Sequence, residues 1–244
     1  MMKPDKKAAE MTVRELAKYI DQSVLKPEFT EAEIRKYIRE GIDYGCATVC
    51  INPASLPIAA EMCRGTETGV CVVCDFPFGL STTAAKVLQA EEYCKNYGVC
   101  ELDIVANYGW LRSGKYGAAE EDIRAVVFAC HKYNTAVKVI IETDSLNREQ
   151  IIEGTRCAVR AGADFIKSST GFYSGGESVG ATPEVVALMM EAGEGKIKVK
   201  GSGGIRTREH FLQLIDMGID RMGVGYRSTP VVLGCAPEAA KGMR

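Results

Sequence analysis

Histidine is almost missing from this 244-residue chain: His131 and His210 are the only two. That scarcity argues against a histidine-rich metal centre, since imidazole is the commonest ligand for zinc. The sequence also lacks long apolar runs. Stretches such as Val70–Val73 are strand-sized, far short of the roughly 20 residues a membrane span needs. No excess of one charge sign is present, with 30 Lys plus Arg against 32 Asp plus Glu and a net charge of −2. This balance gives no global reason to expect nucleic acid or an anionic membrane as partner, while leaving room for a local basic site. The stretch Met1–Glu10 is charged and has no apolar segment, so no export signal and a cytoplasmic location are expected. No Pro/Ser-rich linker interrupts the chain.

Ten cysteines are present. Without an export signal they read as free thiols rather than a disulfide framework. Cys50, Cys71 and Cys74 lie in apolar runs, where a thiol acts as a small hydrophobe. Cys71 and Cys74 form the only CxxC pair, and on a strand their side chains would point to opposite faces, a poor metal clip. Hydrophobic residues make up 46% and charged residues 25%, which suits a soluble globular chain and excludes a largely disordered one.

The remaining organisation is a regular alternation of short β-branched runs and amphipathic stretches. Strand candidates are Ile20–Leu25, Ala47–Ile51, Val70–Asp75, Glu101–Ala106, Val137–Glu142, Phe165–Lys167, Ile197–Lys200 and Arg221–Val224. Helix candidates between them are Glu31–Tyr44, Pro53–Cys63, Thr82–Tyr97, Ala118–Lys132, Asn147–Ala161, Pro183–Glu191 and Thr207–Met217, with a short opening helix at Val13–Tyr19 and a last one from Pro230. Thr30 with Glu33 forms a capping-box pattern, and Gly45, Gly98, Gly162 and Gly218 follow helical stretches where a left-handed residue is favoured. Eight β-then-α units in a chain of this length predict an α/β fold, a (β/α)₈ TIM barrel with a short N-terminal helix. The rival open doubly wound sheet would usually carry a GxGxxG turn after its first strand, and none is there. Residues 1–12 read as a polar tail and 13–244 as one barrel domain.

In such a barrel the reactive groups sit at the C-terminal ends of strands. The candidates are Asp21, Cys50, Asp75, Asp103, Glu142, Lys167 and Lys200. Lys167 and Lys200 end adjacent strands, where mutual repulsion and desolvation would lower a lysine pKa and create a nucleophilic amine able to form a Schiff base. The structural alternative is that both lysines reach the rim or pair with carboxylates. Lys198 shares a face with Lys200, so it is either buried deeper or outside a shorter strand. Asp103 points inward if Leu102 points outward, and could then serve as an acid–base group or as a salt-bridge partner. Gly201-Ser-Gly-Gly-Ile-Arg-Thr207 and Gly223-Val-Gly225 place glycine-rich turns after the seventh and eighth strands, the usual phosphate site of a barrel, with Arg206 as an added anion contact.

These residues resemble the deoxyribose-phosphate aldolase family of class I Schiff-base aldolases. The matching stretches include Ile20-Asp-Gln-Ser-Val-Leu-Lys-Pro27, Ala47-Thr-Val-Cys-Ile-Asn-Pro53, Asp75-Phe-Pro-Phe-Gly79, Glu101-Leu-Asp-Ile-Val105, Lys138-Val-Ile-Ile-Glu142, Gly162-Ala-Asp-Phe-Ile-Lys-Ser-Ser-Thr-Gly-Phe172 and Ser202-Gly-Gly-Ile-Arg-Thr207. The resemblance implies Lys167 as Schiff-base lysine, Lys200 as the lysine that tunes it, and Asp103 in the proton relay. It implies Asp21 and Cys50 in the substrate pocket, and Gly171, Gly203, Gly204, Arg206, Gly223 and Gly225 around the sugar phosphate. Small aldehydes and sugar phosphates are the implied partners. No metal or other cofactor is implied, and a homo-oligomer stays open.

The chain departs from the family at three places. Gln22 stands where the family has His. Gly225 stands at an expected Ser, beside Tyr226, which removes a hydroxyl donor from the phosphate loop that Arg227 is placed to replace. The loop 173–181 is longer and adds Glu177 near the mouth, where an acid would oppose a phosphate. Two further readings therefore stand beside the first: a related lysine aldolase with another aldehyde acceptor, and a barrel that binds a sugar phosphate without turnover.

Overall fold

Eight short strands, each apolar enough to be buried on both sides, close on one another in sequence order. A computed structural model describes residues 6–235. The strands are β1 (Ile20–Val24), β2 (Thr48–Ile51), β3 (Gly69–Cys74), β4 (Glu101–Val105), β5 (Ala136–Ile140), β6 (Phe165–Lys167), β7 (Lys198–Ser202) and β8 (Arg221–Gly225). All pair in parallel, β8 returning to β1, so no sheet edge is left. This is the (β/α)₈ barrel expected from the alternation.

The helices are α1 (Val13–Ala17), α2 (Glu31–Tyr44), α3 (Leu56–Cys63), α4 (Thr83–Tyr97), α5 (Tyr108–Arg112), α6 (Tyr116–His131), α7 (Arg148–Arg160), α8 (Pro183–Gly193), α9 (Arg208–Met217) and α10 (Thr229–Leu233). Thr30 and Glu33 close a reciprocal capping box at the start of α2, and Gly45 ends it in the left-handed conformation. Asn147 caps α7 in the same way with Gln150.

The strand period of two sorts the side chains. Val72, Cys74, Leu102, Ile104, Val137, Val139, Ile166 and Val199 point outward and join the main core beneath the helices. Their neighbours Cys71, Asp103, Lys138, Lys167 and Lys200 turn inward and are buried. Cys71 and Cys74 therefore do lie on opposite faces: Cys71 Sγ contacts Asp103, whereas Cys74 Sγ faces the Lys86 carbonyl on α4.

Several boundaries differ from the sequence pattern for local reasons. The seventh strand runs on to Gly201 and Ser202, which pair with Met222 and Gly223. Glycine is a poor strand former, but a Cβ on Gly201 would meet Ile219 and Ala181 at 2.9 and 3.0 Å, so tight packing selects it there. Lys198 is exposed at the entry to β7 rather than buried deeper than Lys200. Helix α5 went unnoticed because five residues give too little periodicity to read; Asn107 caps it through the Trp110 N–H. Within the stretch read as a polar tail, Ala8–Glu10 form a 3₁₀ turn, Ala8 is fully buried, and its N–H donates to Asp216 at 2.9 Å. The ends of both expected segments, 1–5 and 236–244, lie outside the described residues.

Candidate active site

One carboxylate organises the barrel interior. Asp103 on β4 accepts from Lys167 Nζ and Lys200 Nζ, both at 2.7 Å on Oδ2, and from Lys138 Nζ at 2.9 Å on Oδ1. The geometry follows from register. Lys138 is the direct partner of Asp103 on β5, and Lys167 and Lys200 are direct partners across β6 and β7. Leu102 points outward, so Asp103 takes the interior face as its alternation required. Cys71 Sγ lies 3.1 Å from Oδ1 and Cys50 Sγ 3.9 Å from Oδ2.

A second tier continues the network. Asp21 on β1 faces Lys200 Nζ at 2.5 Å, Lys138 Nζ at 3.4 Å and Arg221 at 2.5 Å, and accepts from Thr48 at 2.7 Å. Glu101 meets Lys138 at 2.5 Å and Arg221 at 3.0 Å. Burial alone would push the Asp103 carboxyl up, but Lys138, Lys167 and Lys200 outweigh it and hold it well below the usual carboxylate range. Asp21 is depressed likewise, by Lys138, Lys200 and Arg221 against its burial. Burial pulls the Lys200 ammonium down, yet Asp103 and Asp21 win and raise it above its ordinary value. This corrects the expectation of two bare amines repelling each other: Asp103 lies between them, and Lys200 stays a cation.

Above this network a cavity of about 430 Å³ opens. Gly171, Gly203, Gly204, Arg206, Gly223 and Gly225 all line it. Gly203 and Gly204 adopt φ of 82° and 72°, conformations that an L side chain resists. Their N–H groups have no acceptor within the protein among the described residues. Asp21 and Cys50 do not line the cavity. They are buried beneath it and serve the charge network instead.

Other expectations are also corrected. Arg227 stacks its guanidinium over Tyr226, 5.4 Å from the ring centroid, and is not on the cavity wall. Glu177 is exposed and likewise absent from the wall. Gln22, in place of the family's His, points away from the interior and donates to the Tyr37 carbonyl at 2.5 Å. Asp75 turns to cap its own loop, accepting from the N–H and hydroxyl of Ser81. Glu142 accepts from the N–H and hydroxyl of Thr170, and burial raises its carboxyl above the usual range.

Sequence reasoning missed four participants. Lys138 carried a usable signal, a charged residue between Val137 and Val139 in a buried strand. Lys26 lies on the cavity wall beyond β1. Phe76 and Phe172, in edge contact at 5.3 Å, pack on the interior cluster of Leu25, Cys50, Cys71 and Val73. That pairing joins loops roughly a hundred positions apart and leaves no local trace. Cys50, Cys71 and Asp103 bring three potential ligand atoms within 4.8 Å of one another. The same carboxylate already holds three amines, whose charge opposes a metal ion there.

Comparisons with known proteins agree with this arrangement. The family model of the DeoC/LacD aldolases matches residues 15–228. A deoxyribose-phosphate aldolase of Clostridium kluyveri is 44% identical over 215 residues, covering 87% of this chain and 95% of that protein. One of Staphylococcus haemolyticus is 42% identical over 207 residues, covering 85% and 91%. Among solved structures, the aldolase QR15 is similar with a TM-score of 0.82 at 37% identity, covering 90% of this chain and 95% of its own. The deoxyribose phosphate aldolase of Aeropyrum pernix, described as tetrameric, gives 0.82 at 28% identity, covering 91% of each. A closed barrel, an interior carboxylate bridging two lysines of adjacent strands, and a family match across nearly the whole length lead to one assignment: the chain belongs to the DeoC/LacD aldolase family.

Proposed function

We propose that this chain is a class I aldolase that reversibly cleaves 2-deoxy-D-ribose 5-phosphate to D-glyceraldehyde 3-phosphate and acetaldehyde, with Lys167 as the Schiff-base lysine. The observation that carries the residue assignment is the shared oxygen: Lys167 and Lys200 meet on Asp103 Oδ2 beneath a glycine-lined cavity. The interior network pairs four bases, Lys138, Lys167, Lys200 and Arg221, with three carboxylates, Asp21, Glu101 and Asp103. Loss of one proton leaves each remaining cation a carboxylate. Lys167, at the C-terminal end of its strand beside the cavity loop, is the base placed to meet a substrate carbonyl.

The chemistry then runs on this chain's own groups. The Lys167 amine attacks the C1 carbonyl of the open-chain sugar, and loss of water gives an iminium. Asp103 takes the proton from the C3 hydroxyl through a water, the C2–C3 bond breaks, and its electrons pass into the iminium as an enamine. Glyceraldehyde 3-phosphate leaves. Lys200 returns a proton to C2 through the same relay, and hydrolysis releases acetaldehyde and frees Lys167. The glycine turn at 203–204, with Lys26 and Arg206, would hold the phosphate.

Intact-mass measurement after incubation with deoxyribose 5-phosphate and borohydride tests this reading. The expected result is one adduct, mapped to Lys167 and abolished in Lys167→Ala. An adduct with acetaldehyde alone would favour a second reading, a lysine aldolase with another acceptor. Gly225, which brings no hydroxyl to the wall, supports keeping that reading in view. No adduct with either would favour a binding protein. A cytoplasmic location fits the ten free thiols, and no helix among the described residues is long and apolar enough to cross a membrane. A homo-oligomer belongs to the same reading and is tested by sedimentation.

A further inference from the structure

Two loops from different strands are stitched together at the mouth of the cavity. Asp144 sits in the short 3₁₀ turn after β5, Thr143–Ser145. Its carboxylate accepts from the Ser178 hydroxyl at 3.0 Å and from the N–H groups of Val179 and Gly180, each at 3.1 Å. The following residue, Ala181, donates its N–H to the Gly203 carbonyl at 3.0 Å. Packing at this seam is backbone on backbone. A Cβ on Gly180 would fall 2.4 Å from the Gly203 oxygen, and one on Gly204 would fall 2.6 Å from the Val179 oxygen. Ser178, Gly203 and Gly204 line the cavity, while Asp144 stands behind them.

The turn that carries Asp144 is fixed from below. Thr143 N–H donates to the Ser168 carbonyl at 2.9 Å, and Ser145 N–H to the Glu142 carbonyl at 3.0 Å. The chain of support therefore runs from the end of β5, through one carboxylate, across segment 178–181, to the glycine turn after β7. Three donors fill the hydrogen-bonding capacity of the Asp144 carboxylate toward this segment.

We propose that Asp144 is a positioning residue for recognition of the phosphate end of the substrate, a role that rests on the reading given under Proposed function. It clasps segment 178–181 against the Gly203–Gly204 turn and so holds that turn's unpaired N–H groups in one arrangement. Without the clasp the segment can lift, and the turn loses the backbone that packs on it. Lys167, beneath the cavity, is anchored separately by Asp103 and does not depend on this contact.

Steady-state kinetics of the wild type, Asp144→Ala and Asp144→Asn test the clasp, with deoxyribose 5-phosphate and unphosphorylated 2-deoxyribose as substrates. Asp144→Ala should raise KM for the phosphorylated sugar about tenfold with kcat within about twofold. Its kcat/KM for 2-deoxyribose should stay within about twofold. Asp144→Asn keeps an acceptor oxygen and should recover most of the difference. Ser178→Ala removes one donor of the three, spares the fold if Asp144→Ala does not, and should give about a threefold rise in the same KM. An unchanged KM, or an equal loss on both sugars, would overturn the proposal. A wild type that traps acetaldehyde but never cleaves deoxyribose 5-phosphate would instead overturn the substrate reading on which it rests.

Discussion

Lys167 and Lys200 place their amine nitrogens at the same distance, 2.7 Å, from a single oxygen of Asp103. They are register partners on β6 and β7, so a ladder position, not a flexible loop, sets the spacing. A proton can pass between the two nitrogens through one acceptor without movement of the backbone. Both side chains are almost wholly buried.

Removing the charge of that acceptor tests the arrangement. Asp103→Asn keeps the shape but leaves Lys138, Lys167 and Lys200 facing a neutral amide. Turnover should fall by about 10²–10⁴, the range of a lost acid–base group. Unfolding in urea should show a loss of about 3–5 kcal/mol, because buried Lys167 is left without a carboxylate while Lys138 and Lys200 each lose one of theirs. Activity within a few-fold of wild type would remove Asp103 from the relay.

Lys138 is a separate case. Besides Asp103 it pairs with Asp21 and Glu101 of the second tier. Lys138→Met should cost about 3–5 kcal/mol in stability through the same desolvation argument. Borohydride trapping of acetaldehyde on Lys167 should persist in the folded fraction. Loss of trapping in a well-folded variant would give Lys138 a direct part in the chemistry.

The contrast between these lysines shows what a sequence can carry. Lys167 and Lys200 were legible because each ends a β-branched run just before a glycine- or serine-rich turn, a position with a known meaning in a barrel. Lys138 had the same inward alternation, but the apolar run continues past it through Ile141, so no turn in the sequence marks it as a site position. The barrel itself was legible because each strand and helix has its own period and its own caps. The Asp144 clasp and the Phe76–Phe172 contact were not, since both join loops that only the closed barrel brings together. Asp21 and Cys50 were placed on the right strands but at the wrong depth: Asp21 is the second residue of β1, near its entry rather than its C-terminal end, and the neighbours of both are cations and a carboxylate, not solvent.

The interior charges also fix the pH range of stability. Asp21 and Asp103 have carboxyls held below their unfolded value, so the folded state binds their protons less tightly than the unfolded chain does. Their contribution is complete above about pH 4 and is lost as pH falls through the lower folded values. Lys138 and Lys200 are shifted upward, so theirs is complete below about pH 10 and lost only as pH rises beyond that. Unfolding free energy from these four groups should be flat between those limits and should drop on the acid side. In Asp103→Asn the acid-side drop should be shallower, as urea titrations from pH 3 to pH 7 would show.

Gly225 offers the sharpest control over substrate choice. It ends β8 on the cavity wall, opposite Ser23 in register. A Cβ built there meets nothing within 4 Å, and its φ is not in the left-handed region. A serine therefore fits without displacing Tyr226, and a residue with a side chain suits strand backbone better than glycine. Gly225→Ser should leave stability within about 0.5 kcal/mol of wild type, or slightly above it. Its hydroxyl adds one donor toward an anion, so KM for deoxyribose 5-phosphate should fall about fivefold. Kinetics with unphosphorylated 2-deoxyribose should not move. A fall on both sugars would place the hydroxyl against the sugar chain rather than the phosphate, and an unchanged KM on both would mean that the phosphate lies beyond the reach of β8.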